Sequence, residues 1–234
     1  MLDLARERLI GLPVTLVHAN FDQLSGVLSN FGINAVDGVL ADLGFCSDQL
    51  EQASRGFSFR DVGPLDMRLD PTGGETAADL VNRLSEGALA DLFWEYGEER
   101  HSRRIARKIG EQRSAKPLTT TAELAALVRS CVPRSGSIDP ATRVFQALRI
   151  ALNDELGALD RLLAALPALV KPGGRAGIIS FHSLEDRRVK HAFRTDTVWQ
   201  PLTKKPVEAG EEEIARNPRA RSAKLRVAMR KENG

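Results

Sequence analysis

The chain has 234 residues, 42% of them apolar and 27% charged, and a net charge of +2, the proportions of a globular protein built as one large domain or a domain with an insert. No apolar run approaches the ~20 residues of a membrane helix, and Met1 to Arg6 lacks the apolar core of a signal peptide. Two cysteines, Cys46 and Cys131, and four histidines show no metal-ligand spacing, so reduced thiols in a cytosolic protein are expected and a metal centre is not.

Pro13 to Phe21 (PVTLVHANF) alternates and carries β-branched residues, which predicts a strand. Asp22 to Phe31 sets Leu24, Val27 and Leu28 on one helical face. Asp37 to Leu43 (DGVLADL) reads as a strand apolar on both faces, as in a parallel sheet covered on both sides. Together they predict a β-α-β unit, the building block of doubly wound sheets. From Thr76 to Tyr96 the apolar residues fall at helical spacing, and Thr120-Thr121-Ala122-Glu123 is a capping box opening a further helix. No strand candidate lies between about residues 60 and 138. The expected organisation is therefore an inserted helical subdomain, 56–138, within an α/β core of 1–55 and 139–234. Asp139-Pro140 predicts the start of one long helix striped by Val144, Leu148, Leu152, Leu156, Leu159 and Leu163. Lys171-Pro172-Gly173-Gly174 then turns the chain into a strand, RAGIISF. Thr195 to Ala215 reads as loop-rich, and Arg221 to Arg230 as the last strand.

Ligands of doubly wound sheets sit beyond the carboxyl ends of the strands. Phe21, Asp42 with the loop to Gln49, and Ser180 to Ser183 would all fall on that rim. Each has a plainer reading: Asp42 as a turn cap before Gly44, Phe21 as a core aromatic, and Ser183 as the N-cap of LEDRRVKHAF with Asp186 as its partner. His182 reads either as a proton acceptor or as a packing residue. Charge is unevenly spread. Arg187 to Gly234 holds 13 Lys/Arg against 6 Asp/Glu, a local +7, which leaves the rest near −5. Arg100, Arg103, Arg104, Arg107 and Lys108 form a second basic cluster that covers more than one face of a helix. Such stripes suit a polyanion partner or a solvated surface.

Five separated motifs, ADLGFCSDQLEQASRGFSFRDVGPLDMRLDP, YGEERHSRRIARKI, ATRVFQALRIALNDEL, KPGGRAGIISFHSLEDRRVK and NPRARSAKLRVA, together resemble the bacterial 16S ribosomal RNA (cytosine-N4) methyltransferase family over essentially the whole chain. The resemblance implies an α/β, Rossmann-like class I methyltransferase core, S-adenosyl-L-methionine as methyl donor, and a helical insert that binds the substrate RNA. Its target is a cytosine amine in the decoding region of the small ribosomal subunit. By position it implies cofactor contacts at Phe21, Asp42 and Gln49. Asp42 is then the first candidate for the catalytic acceptor and His182 the weaker one. RNA contacts are expected at Arg100, Arg103, Arg104, Arg107, Lys108, Arg216, Arg219 and Arg221. Cys46 stands where the family has serine, and Met229 where it has an acid. The family pattern opens on a strand and a Gly-Gly-His-Ser loop that this sequence does not contain, so weaker cofactor binding is expected of it. The competing reading is a non-catalytic RNA-binding remnant. A cytoplasmic location is expected, and a homodimer is among the open options.

Overall fold

The computed structural model describes residues 2–44, 52–132 and 139–232. Contacts divide the chain into two compact units: Met1–Leu43 with Leu156–Gly234, and Gly44–Glu155.

The first unit is an α/β layer structure. Helices α1 (Leu2–Arg8) and α2 (Leu24–Asn30) precede strand β1 (Val36–Asp42). The chain returns after the second unit through α8 (Glu155–Leu169), β2 (Val170–Ser180), α9 (Ser183–Thr195), β3 (Trp199–Pro201), β4 (Val207–Glu208), α10 (Glu211–Arg216) and β5 (Lys224–Arg230). The strands lie in the order β1-β2-β5-β3, with β4 also on β5; β1 and β2 are parallel and the remaining pairs antiparallel. The leucine stripe of α8 (Leu159, Leu162, Leu163, Leu166) packs with Ala176 and Ile178 of β2, Val189 and Phe193 of α9, and Trp199 of β3. Of these, Leu159 and Leu163 belong to the stripe the sequence predicts; the face is buried against a sheet because neither surface can shed its apolar side chains alone.

Four expectations are corrected here. Pro13 to Asn20 has no regular structure, and Val14 and Val17 are exposed. Among the described residues no strand lies beside it, so an alternating pattern has no ladder to join. Of the expected β-α-β unit only α2 and β1 are formed. Strand β1 is apolar on one face rather than two: Val39, Ala41 and Leu43 turn inward, while Leu40 is 72% exposed. Lys171 to Gly174 loops out inside β2, with Gly173 at φ 76, and shifts the β1–β2 register between Val36 and Gly38. Thr195 to Ala215 is not all loop, since it holds β3, β4 and part of α10.

The second unit is helical: α3 (Ala77–Arg83), α4 (Glu86–Gly97), α5 (Ser102–Ala115), α6 (Thr121–Cys131) and α7 (Ala141–Leu152). Phe93, Leu89, Ile105, Ile109, Leu124, Val128 and Leu148 form its core. Capping boxes at Thr76/Asp79 and Thr120/Glu123 set two of the helix starts. At Glu123 the Lys116 ammonium and the amide hydrogens of Thr119 and Thr120 hold the carboxyl down to about 2. The long helix expected from Asp139 onward is broken. Helix α7 ends at Leu152, Asn153 caps it, and Asp154 is left-handed at φ 49. The Asn153 amide accepts from Leu69 N and donates to the carbonyls of Met67 and Arg149. These bonds fasten residues 67–69, where buried Met67 sits at φ 61, to the end of α7. A non-glycine residue stays in that region only when its surroundings over-determine it.

Candidate active site and nucleic-acid interface

Parallel pairing fixes which side chains reach the rim of the sheet. Asp42 lies opposite Ile179, and Leu43 N donates to Ile179 O, so both strands run out of register partners at the same place. There β1 delivers Asp42 and β2 delivers Ser180, Phe181 and His182. Because side chains alternate along a strand, Asp42 shares the outward face with Leu40, away from the α8–α9 core. Its carboxylate has no hydrogen-bond partner among the described residues. Partial burial raises its pKa above the usual 3.8. A mostly exposed carboxylate at a strand end, without a hydrogen-bond partner among the described residues, can accept a proton or a polar hydrogen.

His182 is committed elsewhere. It is the N-cap of α9, a role the sequence assigns to Ser183, and the capping box runs between His182 and Glu185 rather than Ser183 and Asp186. His182 Nδ1 accepts from Glu185 N at 3.4 Å, while Glu185 Oε2 accepts from the amides of Phe181 and His182. An accepting Nδ1 leaves the proton on Nε2. That buried nitrogen lies 3.3 Å from Glu185 Oε1 but is too poorly aligned for a hydrogen bond. Asp186 is also engaged, in a two-pronged ion pair with buried Arg226 at 2.6 and 3.0 Å that holds its carboxyl below the ordinary range. The sequence reading makes Asp186 the cap partner of Ser183; the structure pairs it instead with Arg226, 40 residues away.

Phe21 opens a 3-10 turn, Phe21–Gln23, and is 38% exposed, so it is not the core aromatic of the plainer reading. Gln49 and Cys46 lie outside the described residues. A shallow recess lined by Arg6, Leu9, Val14, Thr15 and Leu16 contains none of the predicted site residues.

The basic cluster rides on α5. Ser102, Ile105, Ala106, Ile109 and Gly110 are buried, which turns Arg103, Arg104, Arg107 and Lys108 to solvent. Lys108 pairs with Glu111 at 2.9 Å and Arg107 with the same residue at 4.0 Å. Arg100, Arg103 and Arg104 make no hydrogen bond or ion pair among the described residues. The first turn of α5 has no acid, so its arginines face the positive end of the helix dipole and each other. That placement costs local stability, which a polyanion would reverse. In the C-terminal patch Arg216, Arg219 and Arg221 are exposed, with Arg216 Nε donating to Glu212 O.

Residues 1–231 match the MraW methylase family. The chain belongs to that family. It is 55% identical over 233 residues to the ribosomal RNA small subunit methyltransferase H of Sorangium cellulosum (strain So ce56), covering 98% of this chain and 74% of that protein. To the protein of that name from Synechocystis it is 57% identical over 220 residues, 93% and 70% of the two chains. To that of Deinococcus deserti it is 52% identical over 231 residues, 98% and 76%. This family member is a methyltransferase, and its methyl donor is S-adenosylmethionine. Two of the residues expected to contact that donor are open to a ligand: Asp42 has no hydrogen-bond partner among the described residues, and Phe21 is 38% exposed.

Proposed function

We propose that the chain methylates N4 of a cytosine in the decoding region of 16S ribosomal RNA in the small subunit. The observation that carries this reading is identity of 52–57% over at least 93% of the chain to proteins named as small-subunit ribosomal RNA methyltransferases. The uncommitted carboxylate of Asp42 agrees with it.

The lone pair of a cytosine amine is delocalised into the ring, so the amine is a weak nucleophile. S-adenosylmethionine supplies an electrophilic methyl on sulfur. The chain's part is to hold the amine in line with that methyl and to accept an amine hydrogen as the N–C bond forms. Asp42 is the acceptor, and its raised pKa keeps it closer in basicity to the group it serves than an ordinary aspartate. Asp42 would take the proton that nitrogen gives up as it gains the methyl group. Phe21, Asp42 and Gln49 hold the donor. His182, through its cap, positions the β2–α9 turn rather than moving protons. The target base has to leave any stack to reach the rim.

Residues 56–138 serve as an RNA-binding insert whose contacts are Arg100, Arg103, Arg104, Arg107 and Lys108, with Arg216, Arg219 and Arg221 as a second set. Phosphate contacts of this kind supply affinity and register rather than sequence. No helix among the described residues is long and apolar enough to cross a membrane, and a ribosomal substrate puts the enzyme in the cytoplasm.

The test uses purified chain, small ribosomal subunits from a strain lacking the modification, and isotopically labelled methyl donor. Nucleoside mass spectrometry of the digested RNA should show labelled N4-methylcytidine. Label confined to another nucleoside, or absent from the RNA, would overturn the reading.

A further inference from the structure

The 3-10 turn that presents Phe21 sits in a segment with few tertiary anchors. No residue from Thr15 to Ala35 is buried, and this stretch includes α2, which follows the turn directly. Leu24 lies against the edge of the sheet core. Gln23 Oε1 accepts from Asn20 N at 3.2 Å and Gln23 N donates to Asn20 O at 2.9 Å, but both bonds are local. Among the described residues, one hydrogen-bonded ion pair joins residues 15–35 to another element. Arg161 Nε of α8 donates to Asp22 Oδ2 at 2.8 Å, across 139 residues.

The two partners differ in mobility and in burial. Arg161 rides on a helix fixed by the burial of Leu159, Leu162, Leu163 and Leu166, and its own side chain is half-exposed. The adjacent acid of that helix, Asp160, is engaged with Arg188 of α9 at 3.2 Å. The Asp22 side chain is only 14% exposed, although its neighbour Phe21 is open to solvent. A carboxylate withdrawn that far from water is tolerated while a cation meets it; without the cation it has to move outward. In a turn of about three residues per revolution, a backbone rotation that frees Asp22 carries Phe21 with it. A pair with one partner half in water adds little to global stability, so its main effect is on the setting of the turn.

We propose that Arg161 and Asp22 are positioning residues for the methyl donor: their ion pair sets the Phe21–Gln23 turn and so keeps Phe21 in place in the donor site. This rests on the reading of Phe21 as a donor contact and adds to it the residues that fix that contact. Neither side chain acts on the reacting groups; both act through Phe21.

The test titrates the full chain and its variants with S-adenosylmethionine by calorimetry, alongside steady-state rates on small ribosomal subunits and a melting curve. Arg161→Gln should raise the dissociation constant for the donor about 10-fold. The donor KM should rise by a similar factor, with kcat at saturating donor within about twofold of the parent's. The thermal midpoint should stay at the parent value. Arg161→Lys, which keeps the cation, should retain most of the affinity; a lysine variant as weak as the glutamine one overturns the proposal. A lower midpoint with kcat and affinity falling together would make the pair a structural staple, which also overturns it. Phe21→Ala separates the two readings. If it weakens donor binding while Arg161→Gln does not, the positioning role fails and the Phe21 contact stands. If Phe21→Ala binds donor like the parent, or the parent binds none, the Phe21 reading fails and the proposal with it.

Discussion

Asp42 and Glu123 are two carboxylates whose surroundings move them in opposite directions. Desolvation raises Asp42, so as an acceptor it should lose function as pH falls through a value above 3.8. Asp42→Asn should lower turnover on small subunits by about 100-fold or more and abolish that acid limb. Because Asp42 is exposed, the thermal midpoint should hardly move. Steady-state rates across pH with a melting curve check both. Glu123 is held at about 2 against an ordinary 4.5 by Lys116 and two amide hydrogens. Its folded-state pKa is depressed, so its contribution is full above about 4.5, shrinks below that and is lost as pH falls through about 2. Glu123→Ala should cost about 1 kcal/mol at neutral pH and distinctly less at pH 3, measured by urea unfolding at both.

At the scale of elements, the helical unit depends on close approach and on one amide clamp. Gly97, in the last turn of α4, leaves no room for a methyl: a Cβ there would sit 2.6 Å from Arg143 O and 3.2 Å from the Ala147 Cβ of α7. Gly97→Ala should therefore destabilise by about 1–3 kcal/mol despite alanine's better helix propensity. A chemical-denaturation midpoint equal to or above the parent's would contradict that packing. Asn153→Ala frees the Leu69 amide and the Met67 carbonyl, each worth about 1–3 kcal/mol when left unsatisfied and buried. Met67 at φ 61 then loses part of what holds it, and hydrogen exchange should rise first at residues 65–70.

At the scale of the molecule, each unit has its own apolar core. Phe93→Ala removes the centre of the helical one and should cost about 3–5 kcal/mol. Hydrogen exchange should then show amides of α3 to α7 opening ahead of the β2 and β5 amides, since local stability follows local burial. Uniform loss of protection across both units would indicate a single cooperative core instead.

The sequence by itself determined the elements whose pattern is local. The stripe of α8, the Thr120/Glu123 box, strands β1 and β5 and the exposed α5 cluster all follow from spacing within a dozen residues, where periodicity dictates which side is buried. It also placed Asp42 at a strand end, because an apolar run stopping at Asp-Leu-Gly is a local event. What needed a distant partner was decided by the tertiary structure alone. Residues 13–20 have a strand's pattern but no neighbouring strand, and a ladder cannot form without one. The helix break at Asp154 has no glycine or proline to announce it; it is held by Asn153 reaching residues 67 and 69. His182, not Ser183, is the cap, with Nδ1 accepting from Glu185 N, a placement that spacing alone does not distinguish. The Arg194 bond to the Lys204 carbonyl, which ties the β3–β4 loop to α9, likewise joins segments that no local pattern links. Spacing along one helix is readable from residues; closure between segments requires knowing which side chain meets which carbonyl.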